Sequence, residues 1–96
     1  MNKPEKTIKQ VCKVINVKGL HARAAAQIVT LSSRYQCELT LTHKTKSASS
    51  LSLIKLLTLD APKGSQIEIV AKGKHVKDAS NSIKQLFSSG FGELES

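Results

Sequence analysis

The chain has 96 residues, with 15 Lys and Arg against 7 Asp and Glu for a formal net charge of +8, and the length suits a single domain spanning residues 1–96. A balance of 40% hydrophobic and 23% charged residues allows a modest two-layer core and excludes intrinsic disorder. Aromatic residues are confined to Tyr35, Phe87 and Phe91 and Trp is absent, so the core is aliphatic and the base-stacking platforms of nucleic-acid binders are missing despite the positive charge.

No apolar run is long enough to cross a bilayer, and the opening MNKPEKTIKQ has basic residues with no apolar segment behind them; a cytoplasmic protein without membrane contact is expected. Residues 1–6 read as a polar lead-in containing Pro4. Residues 8–17 then alternate, with Ile8, Gln10, Cys12, Val14 and Asn16 on one face and Lys9, Val11, Lys13, Ile15 and Val17 on the other, which predicts a strand. Lys18-Gly19-Leu20 is a turn, and the Ala-rich residues 22–33 place Ala25, Ile28, Val29 and Ser32 at helical spacing, giving a helix with a small inner face. Residues 36–42 alternate Cys37, Leu39 and Leu41 against Glu38, Thr40 and Thr42, and the polar residues 43–46 turn the chain into a short third strand.

A short helix capped by Ser49 or Ser50 is predicted to run through Leu59 and to stop at Asp60-Ala61-Pro62-Lys63-Gly64. Residues 66–71 form a fourth strand and Lys72-Gly73-Lys74 a turn. Asp78 opens the last helix, whose buried stripe is Ala79, Ile83, Leu86 and Phe87 and which ends near Gly90. The order β-α-β-β-α-β-α points to an α+β two-layer open-faced sandwich, a four-stranded antiparallel sheet with three helices on one face. Cys12 and Cys37 both lie in strands without CxxC spacing or a neighbouring His, which reads as two buried reduced thiols rather than a disulfide or metal site. His43 and His75 lack ligand-spaced partners and read as solvated surface residues. No metal and no cofactor are expected.

The segment that carries chemistry is Gly19-Leu20-His21-Ala22-Arg23-Ala24-Ala25-Ala26. A glycine turn after a strand delivers His21 to the start of a helix, where unpaired backbone N–H groups and the helix dipole suit an anion, and Arg23 stands ready to add charge-assisted bonds. The residues alone leave three readings open: a capping histidine, a passive phosphate site, or a nucleophilic imidazole that becomes phosphorylated.

The string GLHARAAA resembles the active-site motif of the HPr phosphocarrier family of the bacterial phosphotransferase system, usually GLHARPAA or GMHARPAA. The element order is also that family's. The resemblance runs from Thr7 to Glu93, and LLTLDAPKGSQIEI followed by LFSSGFGE is most similar to the nitrogen-related branch. It implies a relay rather than an enzyme with turnover: His21 accepts a phosphoryl group from Enzyme I and passes it to an EIIA-type protein, Arg23 clamps the phosphate, and the backbone N–H groups of Ala22 and Arg23 hold the oxyanion. It also implies docking through the short helix, for which Leu53, Ile54 and Leu57 with Lys55 on the rim are the candidates, the alternative being that Leu53, Leu56 and Leu57 are core. Ser52 matches a position that a dedicated kinase modifies in many carbohydrate-branch members; its alternative is a local bond at the helix start. The chain departs from the pattern at Ala24, where the family usually has Pro, which puts the transfer rate and phosphohistidine lifetime in question. Rival functions are a carbohydrate-branch carrier feeding sugar permease components and a regulatory binding module that has lost phosphotransfer. A monomer is expected.

Overall fold

The computed structural model describes residues 6–93, so most of the expected polar lead-in lies outside the described residues. Its elements are β1 (Lys6–Lys13), α1 (Ala22–Ser32), β2 (Cys37–His43), β3 (Lys46–Ser49), α2 (Leu53–Thr58), β4 (Gln66–Gly73), α3 (Val76–Ser88) and a 3-10 turn, Gly90–Gly92. The strands form one sheet in the order β1-β4-β2-β3 with every neighbouring pair antiparallel. Because β1 and β2 both run antiparallel to β4, they are parallel to each other with β4 between them. The same reasoning makes β3 parallel to β4 across β2. The fold is two interleaved split β-α-β units that share their strands, and α3 follows. This is the α+β open-faced sandwich that the sequence pattern predicts.

Alternation along the strands decides the faces. Cys12, Leu39, Leu41, Ala48, Ile67, Ile69 and Ala71 are buried beneath the helices, while Lys9, Lys13, Glu38 and Glu68 stand on the open face. From above, α1 contributes Ala24, Ala25 and Ile28, α2 contributes Leu56, and α3 contributes Val76, Ala79, Ile83 and Phe87. The small residues of α1 face the core, and that helix packs against α2 and α3.

Four expectations need correction. The first strand ends at Lys13, not Val17, because its partner β4 begins at Gln66 and the last pair is Lys13 with Gln66; Val14 exchanges its bonds with the loop ahead of β4, to Ser65 O at 2.8 Å and from Gly64 N at 2.7 Å. The short helix is capped by Ser52 rather than Ser49 or Ser50. Ser49 still pairs with Thr40 in the sheet and Ser50 N donates to Leu39 O at 2.9 Å, so the chain cannot turn into a helix until it has left β2. His43, expected as a solvated residue of a turn or strand end, is the last residue of β2 and is buried, on the same inner face as Leu39 and Leu41 and only 8% exposed. Its Nδ1 donates to Leu59 O at 2.8 Å, closing the C-terminal end of α2. Finally, the fourth strand runs two residues further than expected, to Gly73.

Both cysteines are free, Cys12 buried and Cys37 only half-buried. Cys12 lies opposite Ile67 and Cys37 opposite Gly73 on the shared partner β4, so six residues of strand separate them, far beyond disulfide reach. Burial pushes both thiols up from their ordinary value, which keeps them protonated and unreactive near neutral pH. Among the described residues no helix is long and apolar enough to cross a membrane and no cluster of three His, Cys, Asp or Glu side chains is placed to hold a metal ion.

Candidate functional site

The loop 14–21 is built to present one side chain. Asn16 is buried, and its Nδ2 donates to Gly19 O at 2.8 Å, while Gly19 N returns to Asn16 O at 3.1 Å. Gly19 holds φ at +67°, and a Cβ there would meet Ala61 O at 2.6 Å and Pro62 Cα at 2.9 Å, so only glycine fits both the turn and the close approach of the opposing loop. Leu20 N donates to Ala61 O at 2.9 Å, locking the two loops together. The next residue, His21, is the N-cap of α1, with extended φ −87° and ψ −178°.

His21 makes no side-chain cap bond, so its ring is not spent on the helix, and a purely capping histidine is ruled out. The first bond across the helix start runs from Ala25 N to His21 O at 2.9 Å. The amides of Ala22, Arg23 and Ala24 stand ahead of it, with no preceding helical carbonyl to bond. These donors and the positive end of the helix dipole suit an oxyanion beside the ring. Ala24 retains an N–H that proline would lack, and its side chain is fully buried. Arg23 projects outward, its side chain 69% exposed.

The contact missed in the sequence pattern is Glu93. Its Oε2 lies 2.7 Å from His21 Nε2 and 4.0 Å from Arg23 Nη1, and its Oε1 accepts from Asn16 Nδ2 at 3.1 Å. The Asn16 hydrogen bond leads the causes that hold the Glu93 carboxyl below its ordinary value, followed by His21 and Arg23, against partial desolvation. Glu93 reaches the site because α3 is followed by a hook. Phe91 packs edge-on against Phe87, ring centroids 4.9 Å apart, and its carbonyl accepts from Gln27 Nε2 at 3.2 Å. Gly90 and Gly92 take positive φ on either side of it. The usable signals were the Gly90-Phe91-Gly92 spacing after an apolar stripe and a polar Asn16 on an otherwise inward-facing row.

Of the other candidates, Ser52 is the N-cap of α2, its Oγ accepting from Lys55 N at 3.3 Å. Leu56 and Leu59 are core, whereas Ile54 is 75% exposed and Leu51 57%, with Leu53 and Leu57 also exposed. Lys55 is exposed beside them. α1 lies against α2, so the apolar surface adjoins the helix that His21 caps. A cleft of about 650 Å³ opens elsewhere, lined by His43, Lys44, Asp60 and Lys63 rather than by His21 or Arg23. The His21 side chain is 24% exposed and that of Arg23 69% exposed, so both reach the surface at the start of α1. His75 is exposed ahead of α3, in the left-handed region at φ 56°.

The family model describing the PTS HPr component phosphorylation site matches residues 8–89. The phosphocarrier protein NPr of Escherichia coli (strain K12) is 38% identical over 88 residues, covering 91% of this chain and 98% of its own. The phosphocarrier protein HPr of Chlamydia pneumoniae is 34% identical over 87 residues, covering 91% of this chain and 81% of its own. Among solved structures, that of HPr-C-His from Thermoanaerobacter tengcongensis matches with a TM-score of 0.85 at 26% identity, covering 90% of this chain and 97% of that one. With a part-exposed histidine at the N-cap position of α1, in this sheet order, and a family match across nearly the whole described chain, the protein belongs to the HPr family of the phosphotransferase system, whose members are phosphoryl carriers and not enzymes.

Proposed function

We propose that this phosphocarrier works through His21, taking a phosphoryl group on Nδ1 from Enzyme I and handing it to an EIIA protein of the nitrogen-type branch, in the cytoplasm. The observation that carries the reading is an imidazole left unbonded by its own helix, beside three amides that precede the first helical bond. Nδ1 is attached to the ring carbon that joins the side chain to the backbone, so it lies nearer the helix start than Nε2, which is taken by Glu93. On this reading a phosphoryl group on Nδ1 is held by the Ala22 and Arg23 amides at the helix start. The Arg23 guanidinium, exposed and only loosely paired with Glu93 at 4.0 Å, is free to swing onto the phosphate. The carrier contributes positioning and charge stabilisation, and the N–P bond remains easy to break in either direction.

Support for the nitrogen branch comes from the similarity to NPr over 98% of the length of the Escherichia coli protein. The similarity to the HPr of Chlamydia pneumoniae keeps a carbohydrate-type acceptor as the second reading. Docking is assigned to the apolar surface of Leu53, Ile54 and Leu57 with Lys55 at its rim, next to the helix that His21 caps. Ser52 is assigned to capping α2; a phosphate there would place a dianion against this apolar surface and oppose docking.

The test is intact-protein mass spectrometry at alkaline pH after incubation with phosphoenolpyruvate and a nitrogen-branch Enzyme I, with His21→Ala alongside. One acid-labile phosphoryl group on the native chain and none on the variant is the expected result. No gain with either the nitrogen or the carbohydrate Enzyme I refutes the relay and favours a binding module disabled at Ala24. Relative transfer rates to the two classes of EIIA then decide the branch.

A further inference from the structure

We infer that Glu93 is a positioning residue for phosphoryl transfer: its carboxylate holds the proton of His21 on Nε2, so that Nδ1 is the nucleophile, and balances the charge the ring acquires when Nδ1 is phosphorylated. The inference rests on His21 being the phosphorylated residue. A carboxylate oxygen 2.7 Å from an imidazole nitrogen requires a proton between them. Glu93 is held below its ordinary carboxyl value and is ionised near neutral pH, so the proton belongs to the ring. The neutral imidazole has one N–H, and fixing it on Nε2 leaves the lone pair on Nδ1, the nitrogen nearer the helix amides.

In the transfer step Nδ1 attacks phosphorus, the bond from phosphorus to the donor breaks, and its electron pair leaves with the donor. Nε2 keeps its proton throughout. The product ring therefore carries a positive charge, which faces the Glu93 carboxylate, while the phosphoryl oxygens face the amides of Ala22 and Arg23. In the onward step the acceptor nucleophile attacks phosphorus and His21 leaves as neutral imidazole, still protonated on Nε2, with no proton to be found from solvent. A ring lacking that proton would have to leave as an imidazolate, a far poorer leaving group.

The placement of Glu93 is built rather than incidental. Its second oxygen is tied to Asn16 Nδ2, the same group that closes the Gly19 turn at 2.8 Å, so one buried amide fixes both the loop carrying His21 and the carboxylate facing it. Phe91 accepts a left-handed φ of 55° to make the hook, a conformation that bulky residues avoid, and its burial and the bond from Gln27 hold it there. Among the described residues, His21 and Arg23 from the start of α1 meet the Glu93 carboxylate at this point.

The experiment compares native protein with Glu93→Gln, Glu93→Asp and Glu93→Ala. Nitrogen-15 NMR of His21 reads the tautomer, and rapid-quench transfer to and from Enzyme I reads the rate. The native ring is expected as the Nε2–H tautomer. Glu93→Gln keeps an oxygen to accept the bond but loses the charge, and a fall of about tenfold to a hundredfold in transfer is expected, as when the carboxylate partner of a functional histidine is removed. Glu93→Ala should fall at least as far and mix the tautomers, and Glu93→Asp should recover part of the rate. Transfer by Glu93→Gln at the native rate, or a native ring already mixed in tautomer, overturns the inference while leaving His21 phosphorylation standing. A native chain that takes no phosphoryl group from Enzyme I overturns both.

Discussion

Gly19→Ala is the sharpest single test of how the site is held. Alanine at φ +67° carries a conformational cost of about 1–2 kcal/mol. The added Cβ would also sit 2.6 Å from Ala61 O and 2.9 Å from Pro62 Cα, and both atoms are backbone, so no side-chain rotation relieves the contact. Opening the loops apart costs about 1–3 kcal/mol as an overpacking penalty and stretches the Leu20 N to Ala61 O bond of 2.9 Å, worth about 1 kcal/mol. The total is about 3–6 kcal/mol, a large share of the stability of a domain this size, and at about 4–8 °C per kcal/mol it lowers Tm by at least about 12 °C. Gly64→Ala is the matched control: φ is +96°, but nothing lies within 4 Å of the added Cβ, so only the conformational cost applies. Urea denaturation followed by circular dichroism of both variants isolates the contact. Equal losses for the two, or a loss under about 1 kcal/mol for Gly19→Ala, would refute the claim that the 61–62 loop dictates glycine there.

Ser52→Ala removes an acceptor bonded at the long distance of 3.3 Å and should cost about 0.5–1 kcal/mol in urea denaturation, whereas Ser52→Asp, itself a good N-cap, should unfold within about 0.5 kcal/mol of native. His43→Ala deletes the bond to Leu59 O and leaves a void under the end of α2; a loss of about 2–3 kcal/mol is expected, and a loss below about 0.5 kcal/mol in the same assay would return His43 to the surface. Because the folded Glu93 carboxyl is depressed below its ordinary value of 4.5, its contribution to stability is present above that value and is lost as pH falls through the folded value. Native protein and Glu93→Gln should therefore converge in their pH dependence of Tm on the acid side and differ above it. Ile54→Asp, at a side chain 75% exposed, should leave Tm nearly unchanged while weakening association with Enzyme I by tenfold or more, as measured by titration calorimetry.

Strand alternation made most of the fold legible. The rows Cys12 and Val14, Leu39 and Leu41, and Ile67 and Ile69 are all buried, because a sheet covered on one face only imposes period two on every strand. Boundaries were less legible because they depend on partners, not on local pattern. Val14 continues the alternation of β1, but β4 has already ended as a partner, and Ser49 and Ser50 carry good capping side chains that the sheet keeps engaged. His43 was misread for a related reason. It is polar and precedes a turn, yet the period-two rule extended by one residue from Leu41 places it inside, where the open carbonyl of Leu59 satisfies it.

The site divides along the same line. His21 and Arg23 are two residues apart, so a glycine turn and a helix start suffice to announce them. Glu93 is 72 residues from His21, and no local pattern connects them; the link runs through Phe91 on Phe87, Gln27 on the Phe91 carbonyl, and Asn16 on the carboxylate. Each of those contacts is ordinary packing or hydrogen bonding when taken alone. Together they bring the C-terminal hook, the loop after β1 and the start of α1 to one imidazole. Since Phe91 is core and Glu93 lies two residues beyond it, a change that loosens the Phe87–Phe91 pair should act on His21 as well as on stability. Phe91→Ala should therefore cost about 3–5 kcal/mol by core loss and also release the His21 tautomer in the fraction that remains folded. A folded Phe91→Ala protein whose His21 stays wholly in the Nε2–H form would show that Glu93 is held by Asn16 alone.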